Sequence, residues 1–188
     1  MRNNPWFGQV IEGISADEYL YWLPEIGVIS VYDDSLYDRS DLDILSPGMR
    51  SHIAQFLKQH GCHQKRGTCI TAPDSIGHFW LSKPSVLLAT SPYDATRYLP
   101  RQAGDVYILT PTQASAYLLD NLPLQAAVAA VKELGKQQPM NIGKLEDYMP
   151  EDFNSPDLRG AFTYLRTQQK AVRAQPGKKF KRALGSFF

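Results

Sequence analysis

The side chains that could support metal or acid–base chemistry are concentrated in one short part of the sequence. All four histidines and both cysteines of the 188-residue chain lie between positions 52 and 78: His52, His60, Cys62, His63, Cys69 and His78. A structural zinc ion takes four nitrogen or sulfur ligands in a tetrahedron. We therefore consider a zinc site formed by His60 or His63 with Cys62, Cys69 and His78 across a hairpin, with burial of the same side chains in the core as the alternative.

The same region could instead hold a cysteine nucleophile. Such a nucleophile requires a histidine base and an orienting group close in space, and Cys62 or Cys69 with His78 and Asp74 has the necessary residue types. The local motifs of cysteine hydrolases are absent, as are Gly-x-Gly-x-x-Gly, Walker and Gly-x-Ser-x-Gly sequences. A zinc- or cysteine-dependent enzyme centred on Cys62, Cys69 and His78 is thus an alternative to a binding module without catalytic activity.

A second group of candidate binding residues follows Asp157, after which the chain has no acidic residue. A predicted helix begins at Ser155-Pro156-Asp157, and at about 100° per residue four of its cations fall within roughly 60° of one another. These cations are Arg159, Arg166, Lys170 and Arg173. An apolar stripe of Leu158, Phe162, Leu165 and Val172 runs beside them. We expect the helix to pack through the apolar stripe and to present its cations on one side.

Beyond Pro176-Gly177 the basic character continues into a predicted flexible tail. This tail carries Lys178, Lys179, Lys181 and Arg182. Phosphates bind such a surface without sequence preference, because binding releases condensed counterions. The helix and tail therefore predict association with nucleic acid, although an anionic membrane surface or an ordinary solvated helix face would suit the same residues.

The last eight residues, Lys181 to Phe188, carry a separate pattern. Leu184, Phe187 and Phe188 give an aliphatic residue followed by two aromatics, and Lys181 precedes Leu184 by three positions. This arrangement resembles the short peptides by which replication and repair proteins hold a sliding clamp, in which a glutamine stands at the position of Lys181. The resemblance implies a protein–protein adaptor that docks through Leu-x-x-Phe-Phe into a groove of its partner. Docking of the two phenylalanines onto the body of the same chain is the alternative.

The elements that must position these side chains are short strands and capped helices. Ser46-Pro47 and Thr110-Pro111 have the cap residue and the first-turn proline that begin helices, and further helices are predicted for residues 15–24, 124–134 and 155–174. Strands are predicted for residues 27–32, 68–71, 78–81, 85–90 and 105–109. The result is an α+β fold, in which a small, mostly antiparallel sheet packs with about five helices and a basic C-terminal helix and tail follow.

Composition and charge limit the remaining possibilities. Hydrophobic residues make up 43% of the chain, which is enough for one core and too much for a disordered protein. We predict a single domain over residues 1–175 and a tail over residues 176–188. No apolar run approaches the roughly 20 residues of a membrane span, and two cysteines without a secretory signal favour a reducing compartment, so the predicted location is cytoplasmic. No cofactor other than the zinc ion is predicted.

Overall fold

The computed structural model describes residues 3–32, 45–82, 104–147 and 156–173, and within these ranges it contains six α-helices and six strands. The helices are α1 (Pro5–Ala16), α2 (Pro47–Gln59), α3 (Pro111–Asn121), α4 (Leu124–Gln137), α5 (Ile142–Asp147) and α6 (Pro156–Arg173). The strands are β1 (Leu20–Leu23), β2 (Val28–Val31), β3 (His63–Arg66), β4 (Cys69–Thr71), β5 (His78–Leu81) and β6 (Val106–Leu109). The predicted α+β class is confirmed.

All six strands belong to one mixed sheet in the order β1-β2-β6-β5-β4-β3. The pairs β1/β2, β3/β4 and β4/β5 are antiparallel, whereas β6 pairs in parallel with both β2 and β5. The sheet is therefore mostly antiparallel at its sides and parallel at its centre. The strand predicted for residues 85–90 lies outside the described residues.

The helix starts follow the local cap chemistry that the sequence indicates. Ser46 Oγ accepts a hydrogen bond from the Met49 amide at 3.0 Å. Thr110 Oγ1 accepts one from the Gln113 amide at 3.1 Å, and the Gln113 side chain accepts one from the Thr110 amide at 3.1 Å. These side chains satisfy amides of the first turn that have no partner within the helix. The predicted starts of α2 and α3 are confirmed.

The prediction of a helix over residues 15–24 is wrong, because α1 ends at Ala16 and β1 follows. Asn4 caps α1 by accepting a hydrogen bond from the Trp6 amide at 2.9 Å, and this helix ends at Ala16. The Asp17 carboxylate then accepts a hydrogen bond from the Tyr19 amide at 2.8 Å, which turns the chain into β1. Leu20 to Leu23 form a hairpin with β2, and the pairing of these two strands overrides the short helical pattern.

The sheet separates two hydrophobic cores. One core lies on the side of α1 and α2 and takes Leu20, Ile29, Ile70, Phe79 and Ile108 from the strands. The other lies on the side of α3, α4, α5 and α6 and takes Leu23, Val28, Tyr107 and Leu109. Because successive residues of a strand point to opposite faces, neighbouring residues in these strands contribute to different cores.

Candidate functional site

The sheet places the two cysteines on opposite sides. Cys62 is buried in the core beside α1 and α2, together with Ile70 and Phe79. Cys69 is the immediate neighbour of Ile70 in β4, so its side chain points to the other face, where its cross-strand partner Trp80 packs against the second core. The two sulfur atoms therefore cannot share one metal ion without a rearrangement of the sheet.

His60 has a structural role at the end of α2. Its ring lies against the Phe56 ring with centroids 4.5 Å apart, and its Nδ1 is 2.9 Å from the Phe56 carbonyl oxygen. The His60 carbonyl accepts a hydrogen bond from Trp6 Nε1 at 2.9 Å, which joins the end of α2 to the start of α1. Phe56 and the Trp6 indole therefore fix the residue between the two helices.

His78 lies beside the buried carboxylate of Asp105, on the face of the sheet opposite to Cys62. Its Nδ1 is 3.4 Å from Asp105 Oδ1, without the geometry of a hydrogen bond, and the Asp105 side chain is only 1% exposed. That carboxylate accepts a hydrogen bond from Trp80 Nε1 at 2.9 Å and one from the His78 amide at 3.3 Å. Asp105 thus joins the start of β6 to β5.

The predicted zinc site is not assembled. Among the described residues, no group of three or more histidine, cysteine, aspartate or glutamate side chains could hold a metal ion. The physical reason is that Cys62, which directly precedes β3, is buried in one core, whereas the alternation of β4 and β5 points Cys69 and His78 to the other face of the sheet. Neither cysteine forms a disulfide.

The surroundings of Cys62 do not favour its activation as a nucleophile, and the cysteine-dependent alternative stays a prediction. Burial raises the pKa of the Cys62 thiol from 9.0 to about 12. An activated cysteine requires the opposite shift, because the thiolate is the attacking species. Cys62 therefore behaves as a small buried apolar residue.

A third histidine of the cluster, His52, makes a contact with the Asp17 carboxylate that was not predicted. His52 Nε2 lies 2.8 Å from Asp17 Oδ2, and the His52 ring contacts Tyr19 edge to face at 5.5 Å. Burial by itself would raise the pKa of Asp17, but hydrogen bonds from His52 and from the Tyr19 amide outweigh it and leave the pKa below its usual value. The pair connects α2 to the turn between α1 and β1.

The described part of α6 has the two-sided character that the sequence predicts. Leu158, Phe162 and Leu165 are buried in the second core, while Arg159 and Arg166 are exposed. Lys170 and Arg173 continue the same helix in its backbone, and their side chains are outside the described residues. Three of the four residues of the predicted apolar stripe are thus confirmed on the packing side of the helix, and the side chain of the fourth, Val172, lies outside the described residues. Two of the four predicted cations lie on the solvent side.

The two described arginines differ in their surroundings. Arg166 Nη2 is 2.5 Å from both carboxylate oxygens of Glu146 in α5. No ion pair among the described residues involves Arg159. An exposed pair such as Arg166–Glu146 contributes at most about 1 kcal/mol, so a phosphate can compete with Glu146 for this guanidinium.

The predicted tail falls outside the described residues. This applies to the cations Lys178, Lys179, Lys181 and Arg182 and to the proposed docking residues Leu184, Phe187 and Phe188.

A scan against protein-family models finds no match, and searches among curated proteins and solved structures find none either. In the part of the chain that the structure describes, no helix combines the length and apolar composition that crossing a membrane requires.

Proposed function

We propose that this protein is a non-enzymatic binding module that associates with nucleic acid, or with an assembly that handles nucleic acid. The binding surface is the exposed side of α6, extended by the basic tail of residues 176–188. The observation that carries the proposal is the burial of Leu158, Phe162 and Leu165 while Arg159 and Arg166 face solvent. A helix held in this way presents its cations on a fixed support.

The chemistry of this surface suits a phosphate backbone. Arg159, Arg166, Lys170 and Arg173 recur on one side of α6, and Lys178, Lys179, Lys181 and Arg182 continue the charge along the tail. Exposed guanidinium and ammonium groups bind phosphates without reading bases, and each neutralised phosphate releases counterions. Aromatic residues of the tail, such as Phe180, add stacking on unpaired bases.

A cytoplasmic location belongs to the same proposal. Cys62 and Cys69 are buried thiols in a fold that contains no disulfide between them. Proteins of reducing compartments keep their cysteines in this form.

The proposal is tested by point variants of the full chain. Arg159→Ala removes an exposed cation without disturbing the buried side of α6, and Lys136→Ala removes an exposed cation on α4 as the matched control. We expect Arg159→Ala to weaken binding of labelled single-stranded DNA severalfold and Lys136→Ala to leave it unchanged. Glu146→Gln should strengthen binding, because it releases Arg166 from its ion pair.

Equal effects of the α6 variant and the control would contradict a binding surface on α6. If DNA does not bind at all, the proposal that this protein associates with nucleic acid is wrong. The alternative hypothesis would then be preferred. It states that the protein is an adaptor whose Leu184, Phe187 and Phe188 fill a groove on a partner protein.

A further inference from the structure

Among the strands that the structure describes, β1 lies at one edge of the sheet, with its outer side unpaired. Within the described residues this strand pairs only with β2. The Tyr19 carbonyl accepts a hydrogen bond from the Tyr32 amide at 2.9 Å, so Tyr19, Tyr21 and Leu23 exchange backbone hydrogen bonds with β2. By the alternation of an antiparallel ladder, the residues between them direct their backbone groups away from β2. Trp22 therefore presents both its N–H and its C=O at the outer side of the sheet.

A cleft of about 770 Å³ follows this unpaired side. Its floor is β1, one wall is the α1 side with Ile11 and Ser15, and the other is α4 with Ala126, Ala129 and Ala130. Ala129 and Ala130 follow Ala126 by three and four residues, so both lie beside it on one side of α4, and Ala126 and Ala129 are exposed. These short side chains keep the helix from filling the space beside the strand.

The lining of the cleft is acidic. Asp17, Glu25 and Glu133 line it, and no lysine or arginine is among the described lining residues. His52 and Lys136 contact Asp17 and Glu133 from outside the lining, and Glu25 has no ion pair among the described residues. Burial raises the pKa of the Tyr21 phenol, and the nearby charges of Glu133 and Glu25 raise it further. The cleft therefore favours a cationic occupant.

We propose that this cleft binds an extended peptide segment of a partner protein, added to the sheet as a strand beside β1, in which basic and apolar residues alternate. Backbone hydrogen bonds to Trp22 supply the pairing, as in other cases where a peptide extends a sheet. Successive side chains of an added strand point to opposite faces. One set meets Ile11 and Trp22 on the α1 side, and the other meets Glu25 and Glu133 on the α4 side. The proposal is independent of nucleic-acid binding by α6.

The test measures fluorescence anisotropy of a labelled Lys-Val-Lys-Val-Lys-Val-Lys peptide with the full chain. We expect this peptide to bind and its Glu-for-Lys counterpart not to bind. Two further peptides are N-methylated on the valines or on the lysines. In an added strand, the N–H groups of either the valines or the lysines face β1, and methylation blocks only the set that it modifies. One methylated peptide should therefore bind about tenfold more weakly than the other.

Two variants of α4 locate the site. Ala129→Arg fills the cleft and adds a positive charge, so it should weaken peptide binding by about tenfold or more. Gln125→Arg adds the same side chain at an exposed position outside the lining and should leave the affinity unchanged. Glu133→Gln provides a second, milder change and should weaken binding and reduce its salt dependence. Unchanged melting temperatures show that the variants fold.

Equal binding of the basic and acidic peptides would overturn the proposal, as would equal binding of the two methylated peptides. An Ala129→Arg variant that folds and binds as the unsubstituted chain does would also overturn it. The α6 variant Arg159→Ala should not affect this peptide. Failure of the peptide experiment therefore leaves the DNA experiment unaffected, and the two proposals can be judged separately.

Discussion

At the scale of single residues, the Asp17–His52 pair gives the clearest dependence of stability on pH. The folded state holds the pKa of Asp17 below its ordinary 3.8, because hydrogen bonds to the carboxylate outweigh its burial. Stability from this group is therefore present above the unfolded pKa and is lost as the pH falls through the folded one. We expect Asp17→Asn to lower the free energy of unfolding by about 1–2 kcal/mol at neutral pH.

The difference in the free energy of unfolding between Asp17→Asn and the unsubstituted chain should shrink as the pH falls below 3.8. Urea unfolding over a pH series measures this difference. Glu18→Gln changes an exposed neighbour and serves as the control. A difference that stays constant down to the lowest pH would contradict the role of the charged carboxylate.

A second prediction concerns the reactivity of Cys62. Because burial raises the pKa of this thiol from 9.0 to about 12, its thiolate fraction at neutral pH falls about a thousandfold. In a Cys69→Ala variant, Cys62 should react with iodoacetamide at pH 7.5 far more slowly when folded than when unfolded in urea. Rapid alkylation of the folded variant would support the cysteine-dependent alternative.

Residue types alone could not show whether the histidine and cysteine cluster binds a metal ion. The sequence shows that these residues are close along the chain, whereas metal binding depends on the face to which each side chain points. Cys62 and Cys69 are separated by the sheet, and which helices cover each face is settled by residues far away in the sequence. The Asp17–His52 pair was missed for the same reason, since it joins residues 35 positions apart.

At the scale of elements, the contact of α1 with the end of α2 is open to a direct test. A Cβ atom at Gly13 would lie 2.9 Å from His60 Nε2 and 3.1 Å from Phe56 Cζ. The His60 ring cannot withdraw freely, because its Nδ1 is held at the Phe56 carbonyl. We expect Gly13→Ala to destabilise the protein by about 1–2 kcal/mol despite the higher helix propensity of alanine.

Gly8 in the same helix is the matched control. A Cβ atom there would meet nothing within 4 Å, so Gly8→Ala should stabilise the protein by roughly 0.5–1 kcal/mol through helix propensity alone. Thermal unfolding of both variants measures the difference. Equal effects of the two substitutions would show that α1 does not approach α2 as closely as described.

Elements with local signals were predictable, and those made by distant pairing were not. The caps at Ser46 and Thr110 and the apolar stripe of α6 depend on residues within a few positions of one another. Leu20 to Leu23, by contrast, fit a helix or a strand equally well over so short a length, and their pairing with β2 decides the outcome. The cleft beside β1 was missed because α1, β1 and α4 come from separate parts of the chain.

At the scale of the whole molecule, charge is unevenly distributed along the sequence. Residues 1–45 carry nine acidic residues against two arginines, while the last 22 residues carry six cations and no acid. The described acidic residues of the first part include Asp17 and Glu25 at the cleft, and the described cations of α6 are exposed on another element. The two proposals accordingly assign an anionic partner to α6 and the tail and a cationic partner to the cleft.

The central claim, association with nucleic acid through α6 and the tail, is tested most directly by DNA binding over a salt series. Fluorescence anisotropy of labelled single- and double-stranded DNA would be recorded for the intact chain and for a 1–175 truncation. We predict binding to the intact chain that weakens steeply with salt, by a slope of about 0.7–0.9 in log K per phosphate neutralised, and that is largely lost on truncation. Absent binding, or binding that is insensitive to both salt and truncation, would contradict the claim.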